Sequence, residues 1–226
     1  MTNSDNILEA SGIVKAYGRG ETRTEVLRGL NLSVRAGEFL VVMGPSGCGK
    51  STLLHILGLM GRPHAGTVTF GGKVVGDGDA ERNAVRREQI GFVFQRFNLL
   101  SVLSAVDNVR ISLKVRGRAD VNGRVEQLMD LLGVTHVARR KPGRMSIGEQ
   151  QRVAVVRALA HEPALLLADE PTGNLDSASS DALLDLLRKI NRDSGQTIVM
   201  ITHSVDAAGR ADRILHMKDG QLREQS

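Results

Sequence analysis

Eight consecutive residues, Gly44, Pro45, Ser46, Gly47, Cys48, Gly49, Lys50 and Ser51, combine three glycines, a lysine and a hydroxyl in the pattern G-x-x-x-x-G-K-[ST]. Glycines let a backbone wrap closely and aim its N–H groups at phosphate oxygens. A lysine at this spacing reaches β- and γ-phosphates, and the hydroxyl that follows is a ligand for Mg²⁺. Cys48 fills a free position of the pattern and reads as a small spacer. A second pair of candidates, Asp169 and Glu170, closes the apolar run that begins at Ala164. A carboxylate at the tip of a buried strand can hold Mg²⁺. Its neighbour can take a proton from an attacking water, worth about 10²–10⁴ in rate. Gln95 ends the run IGFVF, His203 ends TIVMIT, and Ser146 with Gly148 precedes a helical stretch. Taken singly these are a surface glutamine, a strand end and a helix N-cap. Beside a phosphate loop, each becomes a group able to read a γ-phosphate.

Such groups need strands that end at one edge of a sheet. ILEASGIVKAY (7–17) alternates loosely and predicts a strand. LNLSVRAG (30–37) and EFLVVMG (38–44) predict a strand, a glycine turn and a buried strand feeding the glycine loop. A helix is expected from Lys50 to about Gly58, a hairpin over 66–75 and an apolar strand over 90–95. Residues 99–140 show apolar positions three and four apart, as in VEQLMDLLGV, and predict helices. Strands return at 164–169, 197–202 and 213–222, with a helix over about 177–193. Residues 1–6 are polar and are expected to fray. Strand and helix alternating on either side of a helical block predict an α/β sheet with a helical insertion. In open sheets of this kind ligands sit beyond the carboxyl ends of the strands, where most of these candidates fall.

Length and composition exclude several classes. The 226 residues are 41% hydrophobic and 24% charged, which suits a globular chain with a substantial core. No apolar run of about 18 residues predicts a membrane span, and the N-terminus carries no pattern of a secretory signal. The single cysteine cannot form an intramolecular disulfide, which fits a reducing compartment. Aromatic residues are 3% and Trp is absent, too few for a base-stacking platform, so no nucleic-acid partner is expected. The net charge of +5 is regional. Arg110, Lys114, Arg116, Arg118, Arg124, Arg139, Arg140, Lys141 and Arg144 face only Asp120, Glu126 and Asp130 in the same stretch. That segment is either a solvated face or one held near an anionic surface.

Taken in chain order, Tyr17, GPSGCGKS, Gln95, MSIGEQQR, LLLADE, GNLD (173–176) and ITH (201–203) resemble the nucleotide-binding subunit of an ABC transporter. The resemblance runs over about residues 7–222. It implies a P-loop NTPase fold with a RecA-like mixed sheet core, an antiparallel β subdomain and an α-helical insertion. It implies one ATP-binding domain over 1–226, with a helical subdomain over about 96–160 carrying the signature loop. Tyr17 would stack on adenine, residues 44–51 would form the Walker A loop, and Thr52 would lie near the α-phosphate. Gln95 would touch Mg²⁺ and water and face the membrane subunit. Ser146 to Glu149 would be the signature loop. Asp169 and Glu170 would be the Walker B aspartate and the catalytic base. Asp176 would cross to a partner site, and His203 would sense the γ-phosphate. ATP and Mg²⁺ are the implied cofactors. The implied partners are an integral membrane permease and a second copy arranged head to tail, on the cytoplasmic face of a bacterial inner membrane. Phe97, Leu99, Leu100 and Leu103 are candidates to receive the membrane subunit.

The family signature reads LSGGQ or LSGGE, and this chain reads MSIGE. A β-branched Ile147 disfavours a left-handed backbone, so retuned closure is expected at that loop. Several stretches, among them FVFQRFNLLSVLSAVDNV (92–109) and LADEPTGNLDS (167–177), resemble the lipoprotein-releasing and macrolide-export branch. A related cell-division branch, which signals through a membrane partner to a periplasmic enzyme, shares much of the pattern.

Overall fold

The computed structural model describes residues 5–224. Two sheets share the chain. The larger runs β10-β9-β3-β8-β7-β6, built from β3 (Phe39–Met43), β6 (Ile90–Phe94), β7 (Leu165–Asp169), β8 (Thr197–Thr202), β9 (Arg213–Lys218) and β10 (Gln221–Glu224). All neighbours are parallel except the β9–β10 edge. The smaller is antiparallel, β2-β1-β4-β5, built from β1 (Asn6–Tyr17), β2 (Thr24–Arg35), β4 (Ala65–Phe70) and β5 (Lys73–Val74).

The central strands read as continuous apolar runs because both of their faces are covered. Phe39 and Val41 enter one core with Leu166, Ala168, Ile198 and Met200. Leu40 and Val42 enter the other with Leu165, Leu167, Val199 and Ile201. The second core is closed by α1 (Lys50–Leu57) and the antiparallel sheet. The first is closed by α3 (Ala105–Val115), α4 (Arg124–Leu131), α5 (Ile147–Leu159) and α6 (Ser177–Ser194). Of these, α3, α4 and α5 lie between β6 and β7 in the chain, where a helical insertion was expected.

Three details differ from the sequence reading. α2 (Asp79–Gln89) has no apolar stripe to betray it. Its one buried residue is Arg82, which donates to the Gly61 carbonyl at 2.6 Å. The stretch 213–222 is two strands, because Asp219 and Gly220 both adopt positive φ and turn the chain into a hairpin. Of the stretch expected to fray, residues 1–4 lie outside the described residues. Asn6 already opens β1, and the Asp5 carbonyl accepts from the Ala36 N–H at 2.9 Å.

His161 follows α5 and is 1% exposed, with neither ring nitrogen in a hydrogen bond. Burial, assisted by the Arg116 charge, pulls its pKa from 6.5 down to about 4, opposed in part by the Ile90 backbone. The folded state therefore keeps a neutral ring where the unfolded chain takes up a proton. Stability is complete above pH 6.5 and is lost as pH falls toward 4, by about 3 kcal/mol from this residue alone. Urea unfolding at a series of pH values should show that slope. In His161→Asn the slope should flatten, and an unaltered slope would assign the acid sensitivity to other groups.

Candidate functional site

The loops after β3, β6, β7 and β8 leave the same edge of the large sheet, and the candidate residues stand on them. One cleft of about 500 Å³ is lined by Tyr17, Ser46, Gly47, Gly49, Lys50, Ser51, Thr52, Gln95, Asp169 and Glu170, together with Val26. Gly44 and Pro45 stand at the root of the loop, and their carbonyls accept from Lys50 Nζ at 2.7 and 3.0 Å. Lys50 is 7% exposed, and its ammonium also lies 3.9 Å from Glu170 Oε1. Cys48 is half-buried, and its side chain packs against the core beneath the antiparallel sheet. The loop opens straight into α1, so the first-turn N–H groups of that helix point toward the cleft.

The acidic pair is split by its backbone. Asp169 ends β7, and burial raises its carboxyl pKa. Its Oδ1 accepts from Ser51 Oγ across a long 3.4 Å contact. Glu170 sits at φ 45, a region that non-glycine residues rarely adopt. This turn is held by the Glu170 N–H on the Ile201 carbonyl and by the Gly173 N–H on the Glu170 carbonyl, both at 3.0 Å. Strain of this kind persists where the surroundings over-determine it and collects at functional sites. It sends the Glu170 carboxylate away from Asp169 and toward Lys50 and His203. His203 Nδ1 lies 2.9 Å from Glu170 Oε2, off the line of a hydrogen bond, so that buried oxygen has none.

The remaining residues are positioned by their neighbours. Lys15 Nζ lies 5.5 Å from the centre of the Tyr17 ring and donates to the Arg62 carbonyl at 2.7 Å. Tyr17 itself is 52% exposed, so its ring face is open to a flat ligand. Gln95 is exposed just beyond β6, and Asn174 Nδ2 donates to its carbonyl at 2.8 Å. Asn174 belongs to the GNLD motif that singled out Asp176, so its place was within reach of the sequence. Val26 was not, because a lone valine carries no chemical signal.

Ser146, Gly148, Glu149 and Asp176 stand apart from the cleft, around the first turns of α5 and α6. Ser146 is the N-cap of α5, with Glu149 closing a capping box. Asp176 caps α6, accepting from the Ser179 N–H at 2.8 Å and the Ser179 hydroxyl at 2.9 Å. These bonds hold its carboxyl below the usual range. Ile147 is the first helical residue of α5 and is 51% exposed. Its backbone is helical, so the expected conflict with a left-handed conformation does not arise. What distinguishes it from glycine is bulk on an exposed face.

The apolar candidates after Gln95 divide. Leu99 packs on the core, Phe97 and Leu103 are half-buried and Leu100 is 50% exposed, while Val102, which the sequence did not single out, is 72% exposed. This loop is rigid. Buried Asn108 accepts from the Leu100 N–H at 2.6 Å and donates to the carbonyls of Leu100, Leu103 and Ser104. Arg157 donates to the carbonyls of Asn98 and Phe97 at 2.5 and 2.8 Å.

The chain matches the family model described as ABC transporter over residues 27–173. It is 45% identical, over 96% of its own length and 98% of the relative's, to the lipoprotein-releasing system ATP-binding protein LolD of Geobacter metallireducens. It is 40% identical, over 96% of its length and 95% of the relative's, to the ABC transporter ATP-binding protein MJ0796 of Methanocaldococcus jannaschii. The dimeric structure of the MJ0796 cassette in a post-hydrolysis state bound to ADP and Pi superposes with a TM-score of 0.88 at 38% identity. That match covers 97% of this chain and 98% of that one. Sequence and fold thus match these relatives over nearly the whole length, and the chain belongs to the ABC transporter family as one of its ATP-binding, ATP-hydrolysing subunits.

Proposed function

We propose that this subunit works as a head-to-tail homodimer beneath a membrane permease of the lipoprotein-release or macrolide-export type. The observation that carries the dimer is the separation of the site into two parts. Lys50, Ser51, Asp169 and Glu170 line one cleft, with His203 beside Glu170, while Ser146 and Gly148 present a helix N-terminus elsewhere on the same chain. A second copy turned head to tail brings that N-terminus over the cleft. The dimeric MJ0796 cassette supports this arrangement. In this reading residues 1–226 are one ATP-binding unit, with the helical block over about 96–160 inserted in it.

The cleft fits ATP with Mg²⁺. The Ser51 hydroxyl and the Asp169 carboxylate lie 3.4 Å apart and are the oxygen ligands that would hold Mg²⁺. The half-buried Asp169 carboxyl, whose pKa desolvation raises, would gain a counter-charge there. Mg²⁺, when bound, neutralises charge on the β- and γ-phosphates. Lys50 exchanges its carbonyl contacts at Gly44 and Pro45 for phosphate oxygens. Glu170 accepts the proton of the attacking water, Gln95 positions that water, and His203 fixes Glu170 and meets the γ-phosphate. Ser146 and Gly148 of the opposing copy close the site, so closure depends on ATP. A ligand that binds the closed state better than the open one drives the change between them.

Among the described residues no helix is long and apolar enough to cross a membrane. Attachment to the cytoplasmic face then rests on the permease, and Leu100 and Val102 on their pinned loop are the contact we assign to it. Charge adds to this. Of the nine basic residues between Arg110 and Arg144, the structure ties up Arg110, Arg116, Arg118 and Arg124 in ion pairs or carbonyl contacts. Arg139, Arg140, Lys141 and Arg144 are exposed without an ion pair among the described residues. Each such cation near an anionic leaflet contributes about 1 kcal/mol.

The test is site-specific photocrosslinking from Val102 in native membranes, followed by mass spectrometry of the adduct. The expected adduct is a membrane protein with few spans and a large periplasmic domain. A cell-division membrane protein would place the subunit in the signalling branch. Adducts restricted to soluble proteins would overturn the permease assignment and leave the ATPase chemistry standing.

A further inference from the structure

We infer that His136 is a positioning residue for the signature loop, acting through Glu149 on Ser146. His136 lies on a short 3₁₀ turn, Thr135–Val137, ahead of α5. The next residue, Val137, is fully buried in the core among Val134 and Leu132, so the turn is fixed in place. From it the imidazole reaches across to α5, and His136 Nε2 lies 2.8 Å from Glu149 Oε1. The other oxygen, Oε2, accepts from the Ser146 N–H at 2.6 Å. The Glu149 N–H in turn donates to Ser146 Oγ at 3.2 Å. The three residues form one chain of hydrogen bonds, from an anchored turn to the exposed hydroxyl of Ser146.

Two consequences follow from this geometry. First, both Glu149 oxygens are committed, so the capping box cannot relax to another rotamer. Ser146 Oγ accepts from the Glu149 N–H, and its own O–H lies within reach of the Glu149 carboxylate. A hydroxyl oriented before closure needs little reorganisation when an anion arrives. Second, Glu149 is a carboxylate, held below its usual range by the Ser146 backbone N–H and then by His136. It sits one turn from where a polyphosphate should land. The His136 donor on Oε1 draws part of that negative charge toward the turn at 135–137, while Oε2 stays on the Ser146 N–H. His136 is 58% exposed, and the packing of the fold does not depend on its ring.

This inference rests on the proposed dimer, in which Ser146 faces the opposing copy's nucleotide. The experiment compares Ser146→Ala, His136→Ala, His136→Gln, Glu149→Ala and the His136→Ala/Glu149→Ala double variant in the full chain. The readouts are kcat, KM, ATP affinity of the monomer at low protein concentration, and Tm. His136→Ala should lower kcat about tenfold, the scale of a lost hydrogen bond to a charged group. Monomer ATP affinity and Tm should stay at the parent values. His136→Gln, whose amide can donate to Oε1, should recover most of the rate. The double variant should be no slower than Glu149→Ala alone, since His136 has nothing left to position. Parent-like kcat in His136→Ala, or additive losses in the double variant, would overturn the inference while a slow Ser146→Ala leaves the dimer reading intact. A parent-like Ser146→Ala would instead remove the dimer reading on which it stands.

Discussion

Replacing Glu170 by glutamine should reduce steady-state ATP hydrolysis by the factor a general base supplies, about 10²–10⁴, while ATP still binds. The substitution keeps shape and backbone and removes only the ability to accept a proton. Among the described residues Asp169 is the only other carboxylate lining the cleft. Asp169 points to Ser51, and the positive φ at Glu170 carries the second acid to the opposite side, between Lys50 and His203. The same change removes a negative charge from a cleft that must receive a triphosphate, so the closed dimer should gain stability as the rate falls. Size-exclusion chromatography with ATP should therefore show a dimer for Glu170→Gln where the parent runs as a monomer. Hydrolysis at close to the parent rate would strip Glu170 of its role as base. Hydrolysis lost without any gain in dimer would mean that turnover is not what reopens the parent.

The order of the chemical groups was legible in the sequence because each stands at the end of an apolar strand. Gly44, Gln95 and His203 follow β3, β6 and β8, Asp169 ends β7, and strands buried on both faces announce themselves as runs such as FLVVM and TIVMIT. What the sequence hid depends on non-local contacts. α2 buries an arginine and no apolar stripe, so no helical period marks it. The positive φ of Glu170 is imposed by Ile201 and Gly173 and has no local signature. Nothing in the sequence sets Asn108 apart from Asp107 or Arg110 on the same helix. Asn108 is a four-bond staple for the loop bearing Leu100 and Val102. At Ile147 the backbone is helical, because Ser146 and Glu149 start a helix that any L-residue can continue, and the residue type at 147 does not announce this.

Gly44 shows the same limit from the other side, and it gives the second large effect. Glycines in a phosphate loop are read as sources of conformational freedom. Gly47 fits that reading, with φ 79 and no atom within 4 Å of a built Cβ. Gly44 does not have a positive φ. A Cβ there would lie 2.3 Å from the Met217 carbonyl oxygen on β9 and 2.9 Å from Cys48 Sγ. The obstruction is backbone of a neighbouring parallel strand, which cannot rotate aside. Gly44→Ala must therefore push β3 from β9 or lift the loop that Lys50 holds through the Gly44 and Pro45 carbonyls. Overpacking of this kind costs about 3 kcal/mol, or roughly 6–12 °C in Tm for a chain of this size. ATP affinity should fall more than about tenfold, since a displaced loop no longer aims its N–H groups at phosphate oxygens. Gly47→Ala meets only left-handed strain, about 1 kcal/mol, and should lose roughly 2–4 °C. Thermal melts with and without ATP separate the two variants. If Gly44→Ala proves no more damaging than Gly47→Ala, the close approach of β9 is not what requires glycine at the mouth of the loop.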